Sequence, residues 1–315
     1  MGLLEKVRAG DRLGGGALRW FPAPPVPAAW QLSADDLEGL EILWPERYGC
    51  SYAQIWVAHL FHGLQRHVPV RRAEIPQYGG ETGPVAFRVR VRGRWHDVAV
   101  SPNDSTTLDH DFADRWAVLF KMQYRNEGYA ADQVVPGGYT ADSLWIHLMQ
   151  RGLRRERDRQ HFVHGVHARF GTRFARDVRG PAMARLASQD RFAFTGGGKL
   201  IGYRDFLREV ARAQVCVDLP GNGPFCFRLV NYLAIGACIV AYPHAARLPM
   251  PLEDRVHVAF TQPDLSDLVS LCRHYVERPS EREAMRVAAQ RYYDDYLHPA
   301  NLAAYYLRTL VDRLG

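Results

Sequence analysis

The chain has 315 residues, 47% of them hydrophobic and 23% charged, with a net charge of +6. That length and balance fit two globular domains with sizeable cores and exclude a low-complexity or fibrous chain. The five cysteines, Cys50, Cys216, Cys226, Cys238 and Cys272, follow no zinc or CxxC spacing, so neither a metal module nor a disulfide framework organises the fold, and a reducing compartment fits best.

No run of about 18 apolar residues is present to span a membrane. The first residues, MGLLEKVRAG, place charges where a signal peptide needs an apolar core. A cytoplasmic location is expected. Residues 1–36, with a GGG run and the cluster FPAPPVPAAW, read as an extended lead-in.

The first ordered elements are a short apolar strand, Leu40–Trp44, a helix from Ser51 to about Arg66, and a second strand, Val68–Ile75. Strand, helix, strand in this order is a βαβ unit, the building block of parallel sheets. Val85–Val91 and Trp95–Val100 flank Arg92-Gly93 and predict a hairpin. A helix over Asp109–Ala117, a strand over Val118–Tyr124 and a short strand before Pro136-Gly137-Gly138 follow. Ala141–Asp158 starts as a helix and ends in Arg151, Arg154, Arg155, Arg157 and Arg159, a charge run suited to a solvated helix C-terminus.

The second half alternates strands and helices. Strands are predicted at His161–Val166, Phe192–Phe194, Val215–Leu219, Cys238–Tyr242 and Val256–Phe260. Helices are predicted at Arg176–Ser188, Tyr203–Ala213 and Phe225–Ile235, the last closed by Gly236. Three further helices, at 264–277, 280–296 and 299–313, complete the chain. This rhythm predicts a second parallel sheet, with the domain boundary at 140–165.

One stretch carries most of the information. Val215–Leu219 is a strand buried on both faces, followed by Pro220-Gly221-Asn222-Gly223-Pro224 and a helix. Ligands of open α/β sheets bind beyond the carboxyl ends of the strands. Glycines let backbone N–H groups approach a ligand, and a helix N-terminus favours an anion. Pro224 is expected at the first helical position, with Arg228 one turn further in as a fork-shaped cation for a diphosphate.

The run Phe227-Arg228-Leu229-Val230-Asn231-Tyr232-Leu233-Ala234-Ile235-Gly236-Ala237-Cys238-Ile239-Val240 resembles the donor-site helix of GT-B glycosyltransferases, with exostosin-like enzymes nearest in look. The tail is similar to Rumi-like and capsule-associated glycosyltransferases, through Asp264–Leu268, Tyr296-Leu297-His298-Pro299 and Tyr305-Tyr306. Phe170-Gly171-Thr172-Arg173, followed by Arg176 and Arg179, resembles their upstream basic turn. The resemblance covers roughly residues 160–313.

It implies an α/β fold of two Rossmann-like domains with parallel sheets and a helical C-terminus. An acceptor-side domain at 37–155 would precede a nucleotide-sugar-binding domain at 156–315. It also implies transfer of a hexose or pentose from a nucleotide-diphosphate sugar, expected to be a UDP-sugar, to a hydroxyl of a glycan, protein or small molecule in an inter-domain cleft. No metal cofactor is expected. Donor-binding candidates are Gly221, Asn222, Gly223, Arg228 and Asn231, with Arg173 and Lys199. General-base candidates are Asp104, Asp109 and Asp111; acceptor candidates are Arg47, Tyr48 and Tyr139.

Many retaining GT-B enzymes carry a glutamate where this chain has Asn231, and another carboxylate near Gly223. Their absence leaves retention or inversion open, and keeps a non-catalytic nucleotide- or glycan-binding relative as the alternative. The pairs His59/His62 and His164/His167 lack carboxylate company and do not argue for a metal. The basic run 151–159 lacks the interleaved aromatics of a nucleic-acid surface.

Overall fold

The computed structural model describes residues 22–50, 53–108, 113–140, 143–199 and 201–315. The chain divides into two compact units, one of residues 1–144, 246–250 and 295–315, the other of 145–245 and 251–294. Both are α/β. Among the described residues, no helix is long and apolar enough to cross a membrane.

The first unit opens with a one-turn helix, α1 (Ala34–Leu37), fixed by a capping box in which the Ser33 hydroxyl accepts from the Asp36 amide and the Asp36 carboxylate accepts from the Ser33 amide. Strands β1 (Glu41–Pro45) and β2 (Val70–Ala73) are parallel and joined by α2 (Ala53–Leu64), the predicted βαβ unit. Strands β3 (Val85–Val91) and β4 (Arg94–Ser101) form the predicted hairpin. Its turn residues Arg92 and Gly93 both have positive φ, the backbone that matches the twist of a two-residue hairpin. Strands β5 (Val118–Lys121) and β6 (Val134–Pro136) continue parallel to β4.

The sheet order is β2-β1-β3-β4-β5-β6. Strand β3 pairs antiparallel with both neighbours, so this sheet is mixed where a parallel one was expected. A tight hairpin forces the reversal: a two-residue turn cannot lead into a parallel strand. Of the helix expected at Asp109–Ala117, residues 109–112 lie outside the described residues, and 113–117 form a turn closed by the Trp116 amide on the Ala113 carbonyl.

The C-terminal helix (Pro299–Leu314) packs on α2 of this unit, although the sequence reading grouped it with 156–315. Gly63 permits the approach, because a Cβ there would lie 2.2 Å from the Pro299 carbonyl oxygen. Tyr306 stacks on Phe120 at 3.8 Å and donates to the Gly137 carbonyl.

The second unit begins with α3 (Leu144–Asp158) and carries strands β7 (His164–Arg169), β8 (Phe194–Gly197), β9 (Ala213–Asp218), β10 (Ile239–Ala241) and β11 (Ala259–Phe260). Their order is β11-β10-β9-β7-β8, parallel throughout. Counted within the unit this is 2-1-3-4-5, a doubly wound order whose winding reverses between β7 and β9. Interleaved helices are α4 (Arg176–Ser188), α5 (Tyr203–Ala211), α6 (Phe227–Ile235), α7 (Leu268–Glu277) and α8 (Pro279–Tyr292).

Strand alternation explains the two covered faces. Val166, Ala168, Val215, Val217 and Val240 share one core with Ala182 and Leu186 of α4 and Leu268, Leu271 and Cys272 of α7. The intervening His167 meets Glu209 of α5 at 3.1 Å, and Asp218 meets Arg228 of α6.

Two sequence readings change here. The strand predicted at Phe192–Phe194 lies instead at Phe194–Gly197, where β8 runs on through two glycines. Gly196 lets it lie against β7, since a Cβ would come within 2.0 Å of the Ala168 carbonyl oxygen. The basic run at the end of α3 is not uniformly solvated. Arg157 is fully buried and donates to the Val210 and Ala213 carbonyls, and Arg154 forks onto Asp294 at 2.9 and 2.7 Å.

Candidate functional site

The carboxyl ends of β7, β9 and β10 open into a cavity of about 350 Å³. It lies where the winding reverses, the place at which doubly wound sheets take ligands. Three segments line it: Phe174, Ala175, Asp177 and Val178 after β7, Pro220 to Pro224 after β9, and Tyr242, Pro243 and Ala245 after β10.

One helix N-terminus, that of α4, lines this cavity, and a second, that of α6, follows its glycine loop. Ala175 is the N-cap of α4, held in the left-handed region at φ 43°, and Cys226 is the N-cap of α6. Neither cap residue supplies a side-chain hydrogen bond to its helix. Both first turns therefore present backbone N–H groups and the positive ends of their dipoles. Pro224, expected at the first helical position, lies two residues before the cap of α6 and is part of the loop.

Arg179 ties the loops together. It is 2% exposed. Its Nε donates to the Pro220 carbonyl at 2.7 Å and its Nη1 to the Gly171 carbonyl at 2.6 Å. Burial lowers its pKa, and the like charge of Arg228 adds to the effect. Gly221 is confined next to it: a Cβ would lie 3.1 Å from Cys226 Sγ and 3.5 Å from Arg179 Nη2. The Gly221 amide donates to the Gly223 carbonyl across the turn.

Arg228, expected as a direct phosphate partner, is buried behind the loop. Its Nη2 donates to the Leu219 carbonyl at 2.8 Å, and its Nε lies 3.7 Å from Asp218 Oδ1. Asp218 is 1% exposed, and His244 Nε2 stands 3.7 Å from its other oxygen. Neither Asp218 oxygen makes a hydrogen bond with a described protein group. The carboxylate is held by two neighbouring basic side chains rather than by direct donors.

The remaining candidates are dispersed. Gly221, Asn222 and Gly223 line the cavity. Asn231 is fully buried and accepts a hydrogen bond from the Tyr203 hydroxyl at 2.9 Å, away from the lining. Arg173 is exposed, its guanidinium 5.5 Å from the ring centre of the cavity-lining Phe174. Lys199 is exposed beyond β8, its carbonyl accepting from Arg169.

In the first unit, Asp104 lies on the loop after β4, close enough for its charge to act on Lys121. Asp109 and Asp111 lie outside the described residues. The Tyr48 hydroxyl accepts from Trp44 Nε1 at 2.9 Å, and Arg47 is exposed beside it. Tyr139 is buried, 5.0 Å from the Trp56 ring.

Sequence reasoning missed Phe174, Asp177 and Tyr242. Only the fold brings the residues after β7 and β10 to the loop after β9. Among the described residues, no group of three or more His, Cys, Asp or Glu side chains is placed to hold a metal ion. The chain matches no protein-family model, and no curated protein matches it.

Proposed function

We propose that the second unit binds the nucleotide-diphosphate sugar of a GT-B-type glycosyltransferase, with the diphosphate over the Gly221–Gly223 turn. One observation carries this reading. A glycine loop and the N-terminus of α4, which has no side-chain cap, converge on one cavity at the carboxyl edge of a parallel sheet, and the loop leads into the uncapped N-terminus of α6. Such a site supplies positive potential from the backbone, matched to an anion with several oxygens. Phe174, 42% exposed at the rim, offers a face for the base, and Arg173 beside it offers a charge.

In glycosyl transfer, the bond between the anomeric carbon and the diphosphate oxygen breaks, the acceptor oxygen bonds to that carbon, and the acceptor gives up its proton. The leaving diphosphate gains negative charge as the bond breaks. Backbone donors fixed around that charge stabilise the transition state without reorganising. Arg228 serves as a positioning residue here, holding the end of β9 through Leu219.

Calorimetry with UDP, UDP-glucose and uridine tests the proposal. UDP and UDP-glucose should bind and uridine should bind far more weakly. Gly221→Val should weaken UDP at least about tenfold, because its side chain meets Cys226 and Arg179 and displaces the turn. No binding of UDP or any other nucleoside diphosphate would sink the reading.

A second reading, nucleotide binding without transfer, is favoured by the acid inventory. Among the described lining residues, Asp177 is the only carboxylate, and Asn231 cannot ionise. A protein that binds UDP-glucose yet never hydrolyses it, with or without added acceptors, would support this alternative.

A further inference from the structure

We propose that Lys121 anchors a second binding site, within the first unit, for a small ligand carrying a carboxylate or phosphate oxygen. This inference does not depend on the donor-site reading. It begins with composition. Of 40 cationic residues only three are lysines, Lys6, Lys121 and Lys199. Among the described residues, the other buried Lys or Arg side chains are all arginines: Arg157, Arg179, Arg228, Arg282 and Arg286. Lys121, 2% exposed at the carboxyl end of β5, breaks that habit. Lysine differs from arginine in being a compact point charge that burial can titrate.

The surroundings fit a ligand. Lys121 forms part of the wall of a cavity of about 200 Å³, together with Gly79, Gly83, Ser101, Asn103 and Thr107. At ~30 Å³ per water, the space takes about six waters or one small polar molecule. Its walls are pre-set. Asn103 accepts from the Ser105 amide and donates to the Thr82 carbonyl, and the Thr107 and Ser105 hydroxyls lie 2.7 Å apart.

The Lys121 amine donates to the Ser105 carbonyl at 2.5 Å, one bond among the described residues for a group with three donors. Burial pulls its pKa down to about 8, while the charge of Asp104 works the other way. Among the described residues the charge of Asp104 is the one that offsets this burial, and an anionic oxygen in the cavity would add to it.

Cyanate labelling of the intact protein near neutral pH, read residue by residue by mass spectrometry, tests this. The lowered pKa of Lys121 raises its share of free amine, so Lys121 should be carbamylated about tenfold faster than the exposed Lys199. Acetate or phosphate, at matched ionic strength, should slow Lys121 about threefold or more by mass action and leave Lys199 unchanged. Which anion protects identifies the oxygen class. Faster labelling of Lys199 would overturn the proposal, as would a Lys121 rate unmoved by both anions or slowed as much by glucose.

Discussion

Arg179 is the residue whose removal should distinguish a loop clamp from a ligand contact. It gives two charge-assisted hydrogen bonds, to Pro220 and Gly171, the loops on either side of the winding reversal. A hydrogen bond from a charged group contributes about 1.5–3 kcal/mol. Both carbonyls belong to half-buried residues, so water recovers part of each loss. Arg179→Met, which keeps the apolar stem against Phe170, should then cost about 2–4 kcal/mol. For a unit of this size that lowers the melting temperature on the order of 10 °C. Arg179→Lys keeps the charge and one bond and should lose about half as much. Melting curves give the stability, and hydrogen exchange at the Gly221 amide reports whether the turn has loosened. A drop of less than about 2 °C for Arg179→Met would refute the clamp. If UDP affinity collapsed while melting stayed constant, the guanidinium would be a ligand contact instead.

Asp218 and Arg228 should behave as a coupled pair. Asp218→Asn or Arg228→Met alone should each cost about 3 kcal/mol, because each strands a buried partner. The double variant should cost clearly less than the sum in urea unfolding, and strict additivity would contradict the coupling. His167 sets a pH dependence. Burial pushes it down to about 4, although its hydrogen bond to Glu209 pulls the other way. As pH falls from about 6.5 to about 4, the unfolded chain takes up a proton that the folded chain refuses, so stability falls by up to about 3 kcal/mol. Above pH 6.5 this loss is absent. His167→Gln should flatten that part of the denaturation profile, and an unchanged slope would show that another group sets it.

Much of the fold was legible because period and turn chemistry agree locally. The hairpin could be read from two apolar runs around Arg92-Gly93, and α4 from its length and spacing, Arg176 to Ser188. The glycines misled where they serve packing. Gly196 permits strand contact, so the strand predicted to end at Phe194 runs on to Gly197. The burial of the arginines was hidden as well. A sequence shows that Arg154, Arg157 and Arg228 are charged, but only tertiary context shows three guanidiniums spent on carbonyls and carboxylates inside the unit. The site was half legible for the same reason. Gly221–Gly223 could be found from one strand and its loop, whereas Phe174, Asp177 and Tyr242 belong to segments that only the sheet order brings together.

The position of Arg228 changes what kind of anion site is proposed. A guanidinium in the cavity would have made affinity depend on one side chain. With Arg228 turned back to Leu219 and Asp218, and Arg179 donating to two carbonyls, the donors left for an anion under this proposal are mainly backbone N–H groups. Backbone donors are fixed by fold, so they need no ordering when a ligand arrives. They also survive any side-chain truncation, and only substitution to proline removes one. Binding in this cavity should therefore respond more to substitutions that move the loop, at Gly221 or Arg179, than to neutralising Arg173 at the rim. Buried arginines act on such a site by holding the loop still, and a ligand would register their loss as a floppier turn.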